Sequence, residues 1–376
     1  MKPIKRLAAV ATLSAFATVG AVSVGSPLRT RANLKGDTRF GITRFPYDLT
    51  VAAVIKSQAI ADSASTLLPV HLDDGVPWKQ LLAHQPLPPA MQADWRRIAA
   101  SVPIGRPVYV GLACLAADRL NLATGTDGHK HLPLPAALIG APLDSPIVRH
   151  AWLAYAHDAI SAFHPRWLNL GIEAGEGLLA NPVRWRQFTA LYSWVRAALK
   201  RSNPTVSTGI SFGLNWLRVP VYAARARPLV NNSDFLGLSF YPSASAFDLK
   251  IGLPVGGPGR AAWTTPLDWV HSWAHKPIAL CETGYASRDC TVPQYHLHLA
   301  GNVRLEADYV HDLFQIARKD HYLFVVWFLA VDYDALYHRV GHGQDAMKIW
   351  RNMGLFDSAL KAKPAWSAWM AGLHNR

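Results

Sequence analysis

Apolar and polar positions along this chain fall into two recurring rhythms. Short apolar runs of four to eight residues alternate with longer stretches whose apolar residues return at the helical period. The short runs predict strands over residues 39–45, 67–72, 107–112, 167–173, 205–211, 235–240, 278–282 and 322–330. The helical stretches predicted between and after them cover residues 49–65, 91–101, 147–163, a segment behind Asn181-Pro182, 219–230, 265–275, 302–319 and 364–372. Phe188, Leu191, Tyr192, Val195 and Leu199 form a continuous stripe on the fourth helix, which Ser202-Asn203-Pro204 closes. Eight strand–helix pairs without hairpin signals predict a parallel sheet closed into a single-domain (β/α)8 TIM barrel over residues 39–372. An open doubly wound sheet is the alternative, but no glycine-rich phosphate loop follows an early strand.

The barrel is preceded by a different kind of sequence. Residues 1–26 have Lys2, Lys5 and Arg6 ahead of an Ala-rich apolar body and a small-residue site at Ala21-Val22-Ser23, the pattern of a signal peptide. An uncleaved membrane anchor is the alternative, with a polar linker over residues 27–38 in either case. The expectation is export to the periplasm or medium, with no other membrane segment.

Composition narrows the possibilities further. Half of the 376 residues are hydrophobic and 17% are charged, enough apolar material for a large core. The net charge of +13 is spread over predicted helices with no dense basic run, which argues against nucleic acid as a partner and leaves an acidic polysaccharide among the candidates. Three cysteines do not make a disulfide scaffold, although a Cys281–Cys290 bridge stays open. His296 and His298 form a short His-x-His among 16 histidines, and no metal site, cofactor motif or Gly-x-Ser-x-Gly elbow stands out. No cofactor is expected, and a monomer is.

In a barrel of this kind the chemistry sits at the carboxyl ends of the strands. Alternation along the fourth strand puts Leu168, Leu170 and Ile172 toward the helices and Asn169, Gly171 and Glu173 toward the mouth. The sixth strand offers Gly237, Ser239 and Tyr241 inward. On the seventh, Ile278, Leu280 and Glu282 share the inward face, with Cys281 opposite. Two carboxyls facing one another across a pocket suit acetal hydrolysis, one protonating the leaving oxygen and the other attacking the sugar carbon. A tyrosine hydroxyl beside the second helps to keep it ionised. Aromatic rings near the strand ends (Trp78, Trp216, Tyr241, Tyr285, Trp327, Tyr333) offer faces for sugars. His71, Asp73 and Asp74 after the second strand, and Asp332 and Asp334 after the eighth, are expected to shape the substrate site.

Over nearly its whole exported length the chain resembles the retaining glycoside hydrolases of clan A, with most likeness to endo-acting families such as the β-1,4-galactanases. The resemblance rests on Gly171-Ile172-Glu173-Ala174-Gly175, Leu280-Cys281-Glu282-Thr283-Gly284-Tyr285, Leu238-Ser239-Phe240-Tyr241-Pro242, Trp327, and the closing Gly354-Leu355-Phe356-Asp357 and Lys363-Pro364-Ala365-Trp366. It implies Glu173 as general acid/base, Glu282 as nucleophile, Tyr241 beside the nucleophile and Trp327 in the sugar site. Tyr285, Trp216 and His71 are the further expected substrate contacts. One position departs: Ile172 stands where the group has an Asn that reaches the sugar 2-hydroxyl, with Asn169 or Asn215 as candidate replacements. Glu176 is a rival to Glu173. The functional expectation is a retaining hydrolase of a β-linked poly- or oligosaccharide. A barrel that binds carbohydrate without cleaving it, and an envelope polysaccharide transglycosylase, are the alternatives.

Overall fold

A computed structural model of the protein describes residues 37–175, 177–242, 259–293, 297–341 and 345–375. The expected signal peptide, most of the linker, Glu176 and His296 lie outside the described residues. Eight strands form one parallel sheet: β1 (Arg39–Ile42), β2 (Leu68–Leu72), β3 (Val108–Leu112), β4 (Trp167–Asn169), β5 (Ser207–Gly213), β6 (Phe235–Phe240), β7 (Ile278–Thr283) and β8 (Phe324–Trp327). The spatial order is β1-β8-β7-β6-β5-β4-β3-β2, so the sheet curls until its ends meet. At that seam Thr66 N donates to the Phe40 carbonyl at 2.7 Å, and Ile42 N donates to Ser65 Oγ at 3.0 Å. The result is the expected (β/α)8 barrel, not an open doubly wound sheet.

Eight principal helices surround it: α1 (Val51–Ser63), α2 (Pro89–Ala100), α3 (Pro146–Phe163), α4 (Pro182–Ser202), α5 (Pro220–Asn231), α6 (Ala261–Trp273), α7 (Val303–Lys319) and α8 (Pro364–His374). Three begin on side chains that satisfy an otherwise unpaired first-turn N–H. Thr50 accepts from Ala53 N, Asn181 from Arg184 N and Asn302 from Leu305 N. Phe188, Leu191, Tyr192, Val195 and Leu199 of α4 are all buried, as their spacing predicts.

The core has two layers. Inside the barrel, Leu67, Tyr109, Trp167, Phe235, Ala279, Cys281, Phe324 and Val326 pack as one cluster. Between sheet and helices lies a larger cluster that contains Leu168, Leu170, Leu236, Leu238, Ile278, Leu280, Val325 and Trp327. These clusters correct one reading. Ile278 and Leu280 face the helices, while Ala279 and Cys281 face the barrel interior, opposite to the expectation for β7. All three cysteines are buried and none forms a disulfide, so Cys281 and Cys290 are not bridged. Among the described residues no helix is long and apolar enough to cross a membrane.

Candidate active site

Glu282 still reaches the mouth, and a β-bulge is the reason. Leu238 pairs with Leu280, but the next partner, Ser239, pairs with Glu282, so one extra residue on β7 resets the alternation after Cys281. The register shift turns Glu282 inward beside Tyr241, whose hydroxyl donates to Glu282 Oε1. The carboxyl is pushed up from an ordinary 4.5 to about 8, first by burial and then by the charge of Glu173, with the Tyr241 bond acting in the opposite sense. Thr283 Oγ1 donates to the Phe240 carbonyl at 2.6 Å, which ties β7 to β6 just beyond the bulge.

Glu173 arrives by a different route. β4 ends at Asn169, and residues 170–175 form a bend and turn instead of continuing the strand. Alternation therefore fails here. A Cβ on Gly171 would meet the Phe188 ring at 2.9 Å on the helix side, whereas Ile172 lies over Gly111 and the Tyr109 hydroxyl on the interior side. Glu173 itself has φ 49°, a left-handed conformation unusual for a residue with a side chain. The turn is pinned from below. Glu173 N donates to Ser211 Oγ at 3.0 Å, and Asn169 Nδ2 donates to the same oxygen at 2.9 Å and to Tyr109 OH at 3.2 Å. Asn169 has no exposed surface, so it supports Glu173 from beneath and offers no amide to a ligand.

The carboxylate of Glu173 meets a residue that the sequence reading did not single out. Arg119 Nη2 donates to Glu173 Oε2 at 2.8 Å, and each side chain is about 15% exposed. Arg119 stands on the connection after β3, itself at φ 50°, in a tight loop closed by Ala116 N to the Asn121 carbonyl and Ala123 N to the Cys114 carbonyl. A Cβ on Gly177 would lie 2.5 Å from the Asp118 carbonyl and 2.7 Å from that of Arg119, so glycine lets the two loops touch. The only sequence signal for Arg119 is the unusual length of its connection, since long loops on a rigid scaffold carry function.

His71 completes the floor on the β2 side. Its ring lies 5.7 Å from the Tyr109 ring and 5.8 Å from that of Phe45. Burial lowers its proton affinity despite the nearby charge of Asp73, so the imidazole is neutral at pH 7.

The remaining expected contacts are placed elsewhere. Trp327 follows the regular alternation of β8, in which Phe324 and Val326 face the barrel interior and Val325 and Trp327 the helix layer, so it packs against Tyr309 and Trp369 with Nε1 donating to the Met353 carbonyl at 2.9 Å. It is fully buried there, and Phe328 stands in its stead near Tyr241, Tyr333 and Phe45. Tyr285 packs between Trp263 and Tyr309, and Trp78 donates to the Ala123 carbonyl within the core. Trp216 is 4% exposed and stacks on Tyr222. Asp332 and Asp334 are held by Lys363 and Arg351 respectively and take part in the closing segment. No group of three or more metal-ligating side chains occurs among the described residues.

No protein-family model and no curated protein sequence matches the chain. Solved structures of glycoside hydrolases do resemble it in fold. A GH5_18 from Streptomyces cattleya in complex with GlcNAc is 15% identical with a TM-score of 0.62, covering 90% of this chain and 80% of that one. A GH5_18 from Bifidobacterium longum subsp. infantis is 17% identical with a TM-score of 0.61, covering 89% and 79%. The Ignisphaera aggregans GH53 catalytic domain is 18% identical with a TM-score of 0.52, covering 83% and 86%.

Proposed function

We propose that the protein is a glycoside hydrolase that cleaves a β-linked poly- or oligosaccharide with retention. The observation that carries this reading is the pair of glutamates at the carboxyl rim of the barrel, close enough that the charge of Glu173 raises the proton affinity of Glu282. Two carboxyls so coupled hold one proton between them through neutral pH, the starting condition for acid-assisted departure and nucleophilic attack. Glu282 attacks the anomeric carbon and forms the glycosyl-enzyme ester. Glu173, with Oε2 fixed by Arg119, presents Oε1 to the leaving oxygen, gives it a proton, and then takes one from the water that opens the ester. The Tyr241 hydroxyl stabilises the charge that Glu282 needs for attack. The clan A resemblance makes β-1,4-galactan the first polymer to try, and the leader-like N-terminus makes an exported enzyme the natural setting.

The pair loses its shared proton near pH 8, and with it the acid that the leaving oxygen needs, so kcat/KM is expected to fall as pH rises through about 8. A profile that is still rising at pH about 9 contradicts that assignment. The proton-donor role has a separate signature. Glu173→Ala is expected to keep rapid first-step cleavage of an activated aryl glycoside, to lose natural substrates, and to recover turnover with azide, which needs no general base. Absence of both leaving-group dependence and azide rescue assigns the acid elsewhere, Glu176 being the first alternative. A second reading is favoured by Ile172 over Gly111 and by the engagement of Glu173 with Arg119: a barrel that binds glycans without cleaving them. Wild-type protein that binds a polysaccharide and never releases reducing ends decides for that reading.

A further inference from the structure

A cavity of about 190 Å³ opens above the barrel seam, several times the ~30 Å³ that a water molecule occupies in the liquid. Its walls include Thr43 and Phe45 after β1, His71 of β2 and Asp73 after it, and Met91 and Trp95 of α2. His71 belongs both to this cavity and to the floor beneath the two glutamates, so cavity and candidate active site adjoin.

Three wall atoms are buried and make no hydrogen bond: Thr43 Oγ1, in a residue 1% exposed, Asp73 Oδ1, and Asp74 Oδ1, which His131 Nε2 approaches to 3.0 Å. A buried polar atom that nothing satisfies is costly, which makes the two with no charged group facing them, on Thr43 and Asp73, a sign of an absent donor. The other charged groups of the lining are already engaged. Asp74 meets His131 Nε2 at 3.0 Å, Arg44 meets Asp62 at 2.6 Å, and Arg97 meets Asp94 at 2.5 Å. The site therefore has acceptors to fill and no unmatched cation to attract an anion. Beside those acceptors stands an apolar wall. A neutral ligand with several hydroxyl donors and one apolar face fits both features.

We infer that this cavity receives one terminal sugar unit of the polymer, its hydroxyls donating to Asp73 Oδ1 and Thr43 Oγ1 and its apolar face lying toward Met91 and Trp95. The inference rests on the hydrolase reading and deepens it: a chain whose end is held in this cavity is cut at a fixed, short distance from that end.

The test uses β-linked gluco-, manno- and galacto-oligosaccharides and the matching polymers with the full-length protein. Wild type is expected to release one short product from the outset while polymer viscosity barely falls. Thr43→Val, which keeps the shape and removes the hydroxyl, is expected to raise KM for the oligosaccharides roughly 2–12-fold, the worth of one neutral hydrogen bond, with kcat unchanged. Asp73→Asn is expected to raise it further. Random internal cuts with rapid viscosity loss, or an unchanged KM in both variants, overturn the cavity assignment while leaving the hydrolase intact. Should none of the sugars be turned over, the hydrolase reading falls and calorimetric binding decides the cavity: affinity lost in Thr43→Val supports it, and equal or absent binding overturns it.

Discussion

Glu282→Gln is expected to lower turnover by at least about a thousandfold and, in the same molecule, to make the fold more stable at pH 8 than the wild type. The first half follows because a carboxamide does not displace a glycoside. The second half follows from linkage. The carboxyl holds its proton up to about 8 in the folded chain and only to about 4.5 when unfolded, so between those values the folded state binds more protons. Stability then falls as pH rises through that window, the ionised form being the one that burial and Glu173 oppose. The amide removes this penalty, on the order of a few kcal/mol, and its carbonyl still accepts from Tyr241. Thermal unfolding of both proteins at pH 5 and pH 8 checks it: the variant's advantage should be small at the lower pH and grow toward the higher. An advantage that does not change with pH contradicts the buried-acid description of Glu282.

Lys363→Met is expected to destabilise the protein by about 3–5 kcal/mol, because it strips the cation from a buried polar knot. Lys363 Nζ donates to Ser287 Oγ at 2.9 Å, to Glu306 Oε1 at 2.9 Å and to Asp332 Oδ1 at 3.0 Å. The lysine side chain is 7% exposed and the two acids are fully buried. Burial pushes Glu306 up to about 8 and raises Asp332 above its ordinary range as well, with Lys363 opposing both, so near pH 7 Glu306 shares the site as the neutral acid. Glu306→Gln, which resembles that neutral acid, is expected to cost far less. Denaturant unfolding of the two variants separates them, and equal losses contradict the assigned charges. The knot matters for the site because Asp332 also accepts from Gly354 N, fixing the closing segment that carries Trp350 and Met353 behind Phe328.

The eight-fold alternation of strands and helices was legible in the sequence because both layers of the core must be apolar, and each layer imposes its own period. Face assignments held where strands were regular. On β6, Leu236 and Leu238 face the helices, while a Cβ on Gly237 would meet Cys281 Sγ and Ser211 Cβ at 2.8 Å inside the barrel. They failed where the backbone departs from a two-residue repeat. The register shift around Cys281 reversed the faces of β7, and the left-handed Glu173 replaced a strand end by a turn. No residue-type pattern announces a bulge, since it is set by how neighbouring strands pair. Arg119 was illegible for a related reason: its contact with Glu173 spans 54 positions and depends on two loops meeting at Gly177.

The most direct measurement is to trap the covalent intermediate. The protein is incubated with a panel of activated 2-deoxy-2-fluoro β-glycosides, and the labelled peptide is identified by mass spectrometry. Retaining hydrolysis through the proposed pair predicts one sugar adduct per chain, on Glu282, released when an acceptor sugar is added. An adduct on another carboxylate, or hydrolysis that yields the inverted anomer with no adduct, contradicts it.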